Sequence, residues 1–302
     1  MVTIRSRIVL FSLLWVLPAC FASQDHSKNA SVRIVSDAGV VAPEVFQLLA
    51  LTDVTTDGTL ADIVVQTQKQ WLRAPGSERW DIAGTASAAD QEIYACLHKL
   101  GMCQEVYPSG KHYEHVMILG ALFDTMVQRM QYAIYLWKQG VRFNNIALLA
   151  GARPVVEAQG ENQEALEKFC GHAIEHMAQT EADLIKFVYE HIDMPADMRA
   201  LPVQIIDVPM LPKADGTIRR PNTADTIEYW LNIKPQPGVV LAVSNQPYVE
   251  YQDAVLRTLL PAGYAVRTVG SKCVEDKKIG VLLDTVARVL YQENVRLKKS
   301  AQ

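Results

Sequence analysis

Two arginines, a glutamate and an asparagine–threonine pair stand where short apolar runs give way to polar residues, and these types could together hold an anion. Gly120 and Arg129 follow the run His115–Ala121, and Gly151 and Arg153 close and follow Asn145–Ala152. Ser244 and Asn245 end Gly238–Asn245, while Thr180–Glu181 and Asn222–Thr223 stand at the starts of helical patterns. Arginine offers a planar fork of donors suited to phosphate or carboxylate, glycine lets a ligand approach the backbone, and the free N–H groups at a helix start favour negative charge. Each residue also has a plainer reading: Thr180, Asn222 and Asn245 suit helix caps, Glu181 suits the positive end of its helix, and either arginine suits a surface ion pair.

The elements that must position these residues read as an α/β protein. Runs at 115–121, 145–152, 204–208, 238–245 and 264–270 have the length and composition of buried strands, and helical patterns lie between them. That order predicts a three-layer, Rossmann-like fold with a mainly parallel sheet of about five strands and helices on both faces. Ligands of such sheets bind beyond the carboxyl ends of the strands. The intervening helices are expected at 124–139, across 161–192 with a break near Gly171 or a new cap at Thr180, from Pro221 to Leu231, from Pro247 to Gly263, and at 275–297. Residues 23–112 lack this alternation. Helical spacing at 43–51, 60–72 and 87–100, with a short strand near Val32–Val35, predicts a helical amino-terminal elaboration that packs over the sheet or its crevice, filled by Trp71 and Trp80. The α/β domain is expected over 113–302.

Arg5 and Arg7 precede the apolar stretch Ile8–Leu17, which Pro18 ends. This is the pattern of a signal peptide over residues 1–22, too short to span a membrane comfortably. It predicts export to the periplasm or the outside, with lipid attachment at Cys20 as the less favoured reading. Cys96, Cys103, Cys170 and Cys273 would then share an oxidising compartment. Four cysteines allow three pairings, and Cys96 and Cys103 are close enough in sequence for a local bridge.

Several classes are disfavoured. A formal charge of −4 with no basic block argues against nucleic acid as a partner. Neither dinucleotide nor Walker glycine loops occur, nor a Gly-x-Ser-x-Gly elbow, so no cofactor is indicated. His172 and His176, with Cys170 and Glu175 nearby, lack a metal-site spacing and read as a solvated face.

The order of these motifs resembles the SanA/YdcF-like (ElyC-related) family of bacterial proteins over roughly residues 114–270. The matching residues are Leu119-Gly-Ala121, Arg129, Ala133 to Gly140, Ala150-Gly-Ala152, Glu181-Ala182 and Asn222-Thr223. Tyr248 and Gln252 stand where the family's histidine and arginine are expected. The resemblance implies an envelope or extracellular role without a defined reaction. With the residues themselves it leads to one expectation, a small anionic or nucleotide-like ligand in the strand-end crevice. Two alternatives stand beside it: a hydrolase or transferase with Glu181 as general acid or base and Asn222 positioning substrate, and a secreted interaction or virulence protein that meets a protein partner through its amino-terminal helices, its crevice vestigial.

Overall fold

In each apolar run alternate residues are buried on opposite faces, so each run can sit only between two layers of helix. The computed structural model of the chain describes residues 33–74, 76–82, 89–273 and 277–301. The expected signal peptide lies outside them. Five strands, β1 (His112–Leu119), β2 (Arg142–Gly151), β3 (Val203–Val208), β6 (Val239–Asn245) and β7 (Ala265–Ser271), form one parallel sheet in the order β3-β2-β1-β6-β7. The order runs outward from β1 to β3 and then restarts on the other side of β1. β1 and β6 therefore flank the point where the winding reverses.

One face carries Val116, Ile118, Ile146, Leu148, Leu241 and Val243, packed under α4 (Phe123–Lys138) and α6 (Glu181–His191). The other carries Met117, Leu119, Ala147, Leu149, Val240 and Ala242, packed under α8 (Thr223–Asn232) and α9 (Val249–Leu259). Trp230 of α8 is fully buried there, edge-on to His115 at 5.2 Å and to Tyr264 at 5.7 Å. All five expected strands and the interrupted 161–192 stretch are present. That stretch resolves into α5 (Gln163–Cys170), stopped at left-handed Gly171, and α6, opened by a capping box between Thr180 and Asp183. A short helix, α7 (Ala196–Arg199), and a small hairpin of β4 (Leu211–Pro212) and β5 (Ile218–Arg219) were not foreseen.

The amino-terminal helices α1 (Pro43–Leu51), α2 (Leu60–Gln70) and α3 (Asp90–Lys99) match their expected positions. Val35 forms only an isolated bridge, with Val41, in place of a strand. These helices do not lie over the sheet. They bury Val45, Leu48, Ile63 and Leu97 against Leu282, Val286, Ala287 and Leu290 of α10 (Ile279–Ser300), which itself packs on α9. Trp71 fills this second core and donates to Thr52 Oγ1 at 3.1 Å. Glu250 of α9 adds a direct link by accepting the Ile34 N–H at 2.7 Å. Residues 31–302 thus form one compact unit in which α10 is shared between this second core and the packing against α9. No described helix is long and apolar enough to cross a membrane.

Because α10 is shared, the helical part and the sheet should unfold in a single transition. Leu48→Ala, which empties a fully buried site in α1, should lower the stability of the whole unit by about 2–5 kcal/mol. Urea unfolding followed by both far-ultraviolet circular dichroism and tryptophan fluorescence checks this, and separate transitions would show that the two cores are independent.

Candidate functional site

At the carboxyl ends of β1 and β6 the chain must hold together two strands whose following segments leave in opposite directions. Arg129, one and a half turns into α4, points back along its helix as long helical side chains do. Its Nη1 donates to the carbonyls of Leu119 and Gly120, each at 2.7 Å, while Nε and Nη2 donate to Asn245 Oδ1 at 3.0 and 2.8 Å. The residue is only 3% exposed. Arg129 therefore clamps β1 to β6, and Asn245 completes its amide by donating to the Gln246 carbonyl at 3.1 Å.

Arg153 is held in a comparable way after β2. Its Nη1 and Nη2 meet the two carboxylate oxygens of Glu161 at 2.8 Å each, and Nη2 also reaches the Ala121 carbonyl at 3.1 Å. Glu161 is fully buried and also accepts the N–H groups of Val156 at 2.6 Å and Phe123 at 3.2 Å. Burial alone would depress the arginine's pKa. The Glu161 hydrogen bonds and the charges of Glu181 and Glu161 more than reverse that and hold it above the ordinary value.

Between these two clamps stands Glu181, the first residue of α6, with its side chain 14% exposed and Oε1 3.8 Å from Arg153 Nε. Its carboxylate fits because Gly120 has no side chain: a Cβ there would lie 3.0 Å from Glu181 Oε1 and 2.7 Å from the Leu149 carbonyl. Desolvation pushes the Glu181 carboxyl above the usual glutamate range. Arg153, the Gly151 N–H and Arg129 pull against that rise, and Glu161 adds to it. A carboxyl so placed keeps its proton to a higher pH than an ordinary surface glutamate does.

Glu181 lies at the edge of a crevice of about 530 Å³ whose lining also includes Gly120, Arg129, Arg153, Asn222 and Thr223. Six of the ten residues singled out in the sequence thus converge. The other four do not line it. Thr180 caps α6, accepting the Asp183 N–H at 3.1 Å. Ser244 is fully buried, its Oγ without a hydrogen-bond partner in the described structure, and Asn245 serves the Arg129 clamp. Gly151 permits a close chain passage, since a Cβ there would meet Pro221 Cγ at 2.2 Å. Within the lining, Asn222 Oδ1 is occupied as the cap of α8 by the N–H groups of Ala224 at 2.8 Å and Asp225 at 3.2 Å.

The opposite wall was not foreseen. It is built from the start of α10 and from the 76–82 turn, and it brings Arg73, Lys277, Lys278 and Arg288 to the crevice. Asp284 orders two of them: it is fully buried, accepts Arg288 Nε at 2.8 Å and the Arg73 N–H at 3.2 Å, and lies 3.7 Å from Arg73 Nη1. Lys278 Nζ donates to the Ile82 carbonyl at 2.7 Å. On the other side Arg220 pairs with Glu78 at 2.9 Å. The turn is thereby pinned across the crevice, and Trp80 lines the crevice rather than the amino-terminal core. Tyr248, Tyr251 and Gln252 from the start of α9 complete the lining. Gln252 is 7% exposed and its Oε1 has no hydrogen-bond partner in the described structure.

Metal ligation gains no support: among the described residues no three histidine, cysteine or acidic side chains are grouped to hold an ion, and His172 and His176 are exposed. The four described cysteines are free thiols, so the local Cys96–Cys103 bridge is not formed. Glu161→Gln should cost about 3–5 kcal/mol, because it leaves the Arg153 charge buried without its counter-charge. Urea unfolding measures it, and a change within about 0.5 kcal/mol would mean that Glu161 does not hold the β2 end.

Comparison with known proteins adds sequence kinship without a function. The chain is 27% identical over 220 residues to the uncharacterized protein Mb3814 of Mycobacterium bovis, and equally to the uncharacterized protein Rv3785 of Mycobacterium tuberculosis. The similarity covers 65% of this chain and 60% of those proteins, so less than two thirds of their length is spanned. No family model matches the chain, and no solved structure matches it.

Proposed function

We propose that this protein binds a small anionic ligand, phosphate-bearing or nucleotide-like, in the crevice beyond β1 and β6, as a diverged relative of the SanA/YdcF-like proteins acting in the envelope or outside the cell. The observation that carries the reading is the charge of the lining. Arg73, Arg129, Arg153, Arg220, Lys277, Lys278 and Arg288 line it beside Glu78 and Glu181, and with the buried Glu161 and Asp284 behind the wall counted, cations still outnumber carboxylates. Walls of one sign around a low-dielectric cleft concentrate anions of the opposite sign. Gln252 Oε1 supplies a buried acceptor for a ligand N–H or O–H. Trp80, Tyr248 and Tyr251 supply flat apolar surface for a ring.

Glu181 supports a second reading, a hydrolase or transferase in which it is the general acid or base. Its pKa is raised above the ordinary glutamate value, and its place among the cations would put it beside a bound anion.

Two experiments separate these readings. A nucleoside diphosphate, pyrophosphate or inorganic phosphate should raise the melting temperature as saturating ligands do. Lys277→Ala and Arg220→Ala should each weaken that binding about tenfold, the loss of one charge-assisted contact. Isothermal calorimetry reads both, and the absence of any stabilisation by all three anions would remove the binding proposal.

Glu181 sets the pH dependence. Its folded pKa lies above its unfolded value, so its favourable contribution is complete below the unfolded pKa and is lost as pH rises through the folded one. Anion affinity should fall over the same range as the carboxylate gains charge. Glu181→Gln should flatten both profiles, and it should abolish turnover if the second reading holds. Unaltered pH profiles in that variant would take Glu181 out of the site.

A further inference from the structure

The loop that follows α3 returns to the carboxyl edge of the sheet and pairs with the end of β7. Val106 and Gly270 exchange backbone hydrogen bonds at 2.9 and 3.1 Å as an isolated antiparallel bridge, and beyond the end of β7 the Cys273 N–H donates to the Cys103 carbonyl at 3.0 Å. Gln246 Nε2 fixes the loop a second time by donating to the carbonyls of Gly101 and Gln104, each at 2.8 Å. That backbone hydrogen bond sets the two cysteines side by side, the Cys273 thiol reaches the Met102 carbonyl at 3.5 Å, and the two thiols are near enough to act on one another's protonation. Both are partly buried and reachable from solvent. Residues joined by a direct backbone hydrogen bond have Cα atoms within the span that a disulfide bridges.

We propose that Cys103 and Cys273 form a redox pair that a small disulfide of the glutathione class oxidises to a bridge between the 101–106 loop and the end of β7. Their environments divide the labour. The neighbouring Cys273 thiol holds the Cys103 thiol below its usual pKa, with Lys277 assisting against the effect of burial, so Cys103 is the thiolate. Its neighbour Cys103, with burial, pushes Cys273 up, so it keeps its proton and acts second. Cys103 Sγ attacks one sulfur of the oxidant, a mixed disulfide forms and one thiolate leaves. Cys273 then loses its proton to solvent and attacks Cys103 Sγ, and the second thiolate leaves. Two protein thiols are oxidised and one small disulfide is reduced to two thiols. The bridge would join residues 170 positions apart and fix the base of the segment that brings Lys277 and Lys278 to the crevice.

Peptide mapping tests this on the full chain. Trypsin cleaves after Lys99, Lys111, Lys272 and Lys277 and so separates the four described cysteines into different peptides. After incubation with oxidised glutathione, unreduced digests should contain peptide 100–111 linked to peptide 273–277. The melting temperature should rise by roughly 5 °C or more, as expected for closing a long loop, and return on reduction. Cys96→Ser and Cys170→Ser should behave as wild type. Cys273→Ser should trap glutathione on Cys103, whereas Cys103→Ser should leave Cys273 unmodified. A Cys96–Cys103 linked peptide, or complete alkylation of Cys103 and Cys273 after the oxidant, would overturn the proposal, and glutathione trapped on Cys273 in Cys103→Ser would overturn the division of roles.

Discussion

The crevice depends first on the clamp of Arg129 on Leu119, Gly120 and Asn245. A sheet wound outward from β1 in both directions has no chain connection across the β1–β6 junction at its carboxyl end, and the opening that results is what makes a site there. An opening without a tie would leave strand-end carbonyls and a buried guanidinium unsatisfied. Four hydrogen bonds from a single guanidinium meet both needs. Hydrogen bonds to a charged group contribute about 1.5–3 kcal/mol each, so the clamp weighs heavily in a fold whose net stability is small. Arg153 and Glu161 do the same for the end of β2. Two of the cations in the lining are therefore committed to architecture, and they shape the field of the crevice more than they offer free donors.

This division explains why the opposite wall matters. Arg220, Lys277 and Lys278 stand at element starts, tied to the turn that carries Glu78, Trp80 and Ile82 or to nothing more than the backbone around them. The Arg220–Glu78 pair is exposed at the arginine and half-buried at the glutamate, and a pair so open to solvent has a weak hold. An incoming anion can compete for Arg220 at low cost, whereas it cannot compete for Arg129 without opening the sheet. Glu181 sits between the two kinds of cation, and burial raises its pKa against the opposing pull of Arg153 and Arg129.

The five strands and most helices were legible in sequence because their signals are local. Apolar runs of strand length, Gly171, the Thr180 cap and the Asn222 cap each act within a few residues. The backward reach of Arg129 was legible for the same reason. Its partner was not, because Asn245 is 116 residues away. Likewise Arg73 and Arg288 join the crevice only through Asp284, which reads in sequence as one more charge on an amphipathic helix. Trp80 lines the crevice, one of the two surfaces its packing was expected to cover, but bulk and aromaticity could not say which of them its turn would meet. The hairpin β4–β5 escaped because two-residue strands carry no periodicity, yet it is what delivers Arg219 to Asp225 at 2.6 Å and so sets Arg220 and Pro221 against the crevice.

The place of α10 turns the amino-terminal helices into part of the site without their touching it. The helix presents Lys278, Val281 and Arg288 to the crevice and, on its other side, Leu282, Val286 and Leu290 to the core that α1, α2 and α3 complete. A helix is stiff over this length, and its two faces cannot shift independently. The angle at which α10 meets the crevice is therefore decided by how Leu48, Ile63 and Leu97 pack. An α/β sheet ending at β7 would still have the Arg129 clamp and Glu181, but it would lack the far wall and most of the cationic surplus. The amino-terminal helices are in this sense what converts a generic strand-end opening into a crevice with cations on both walls.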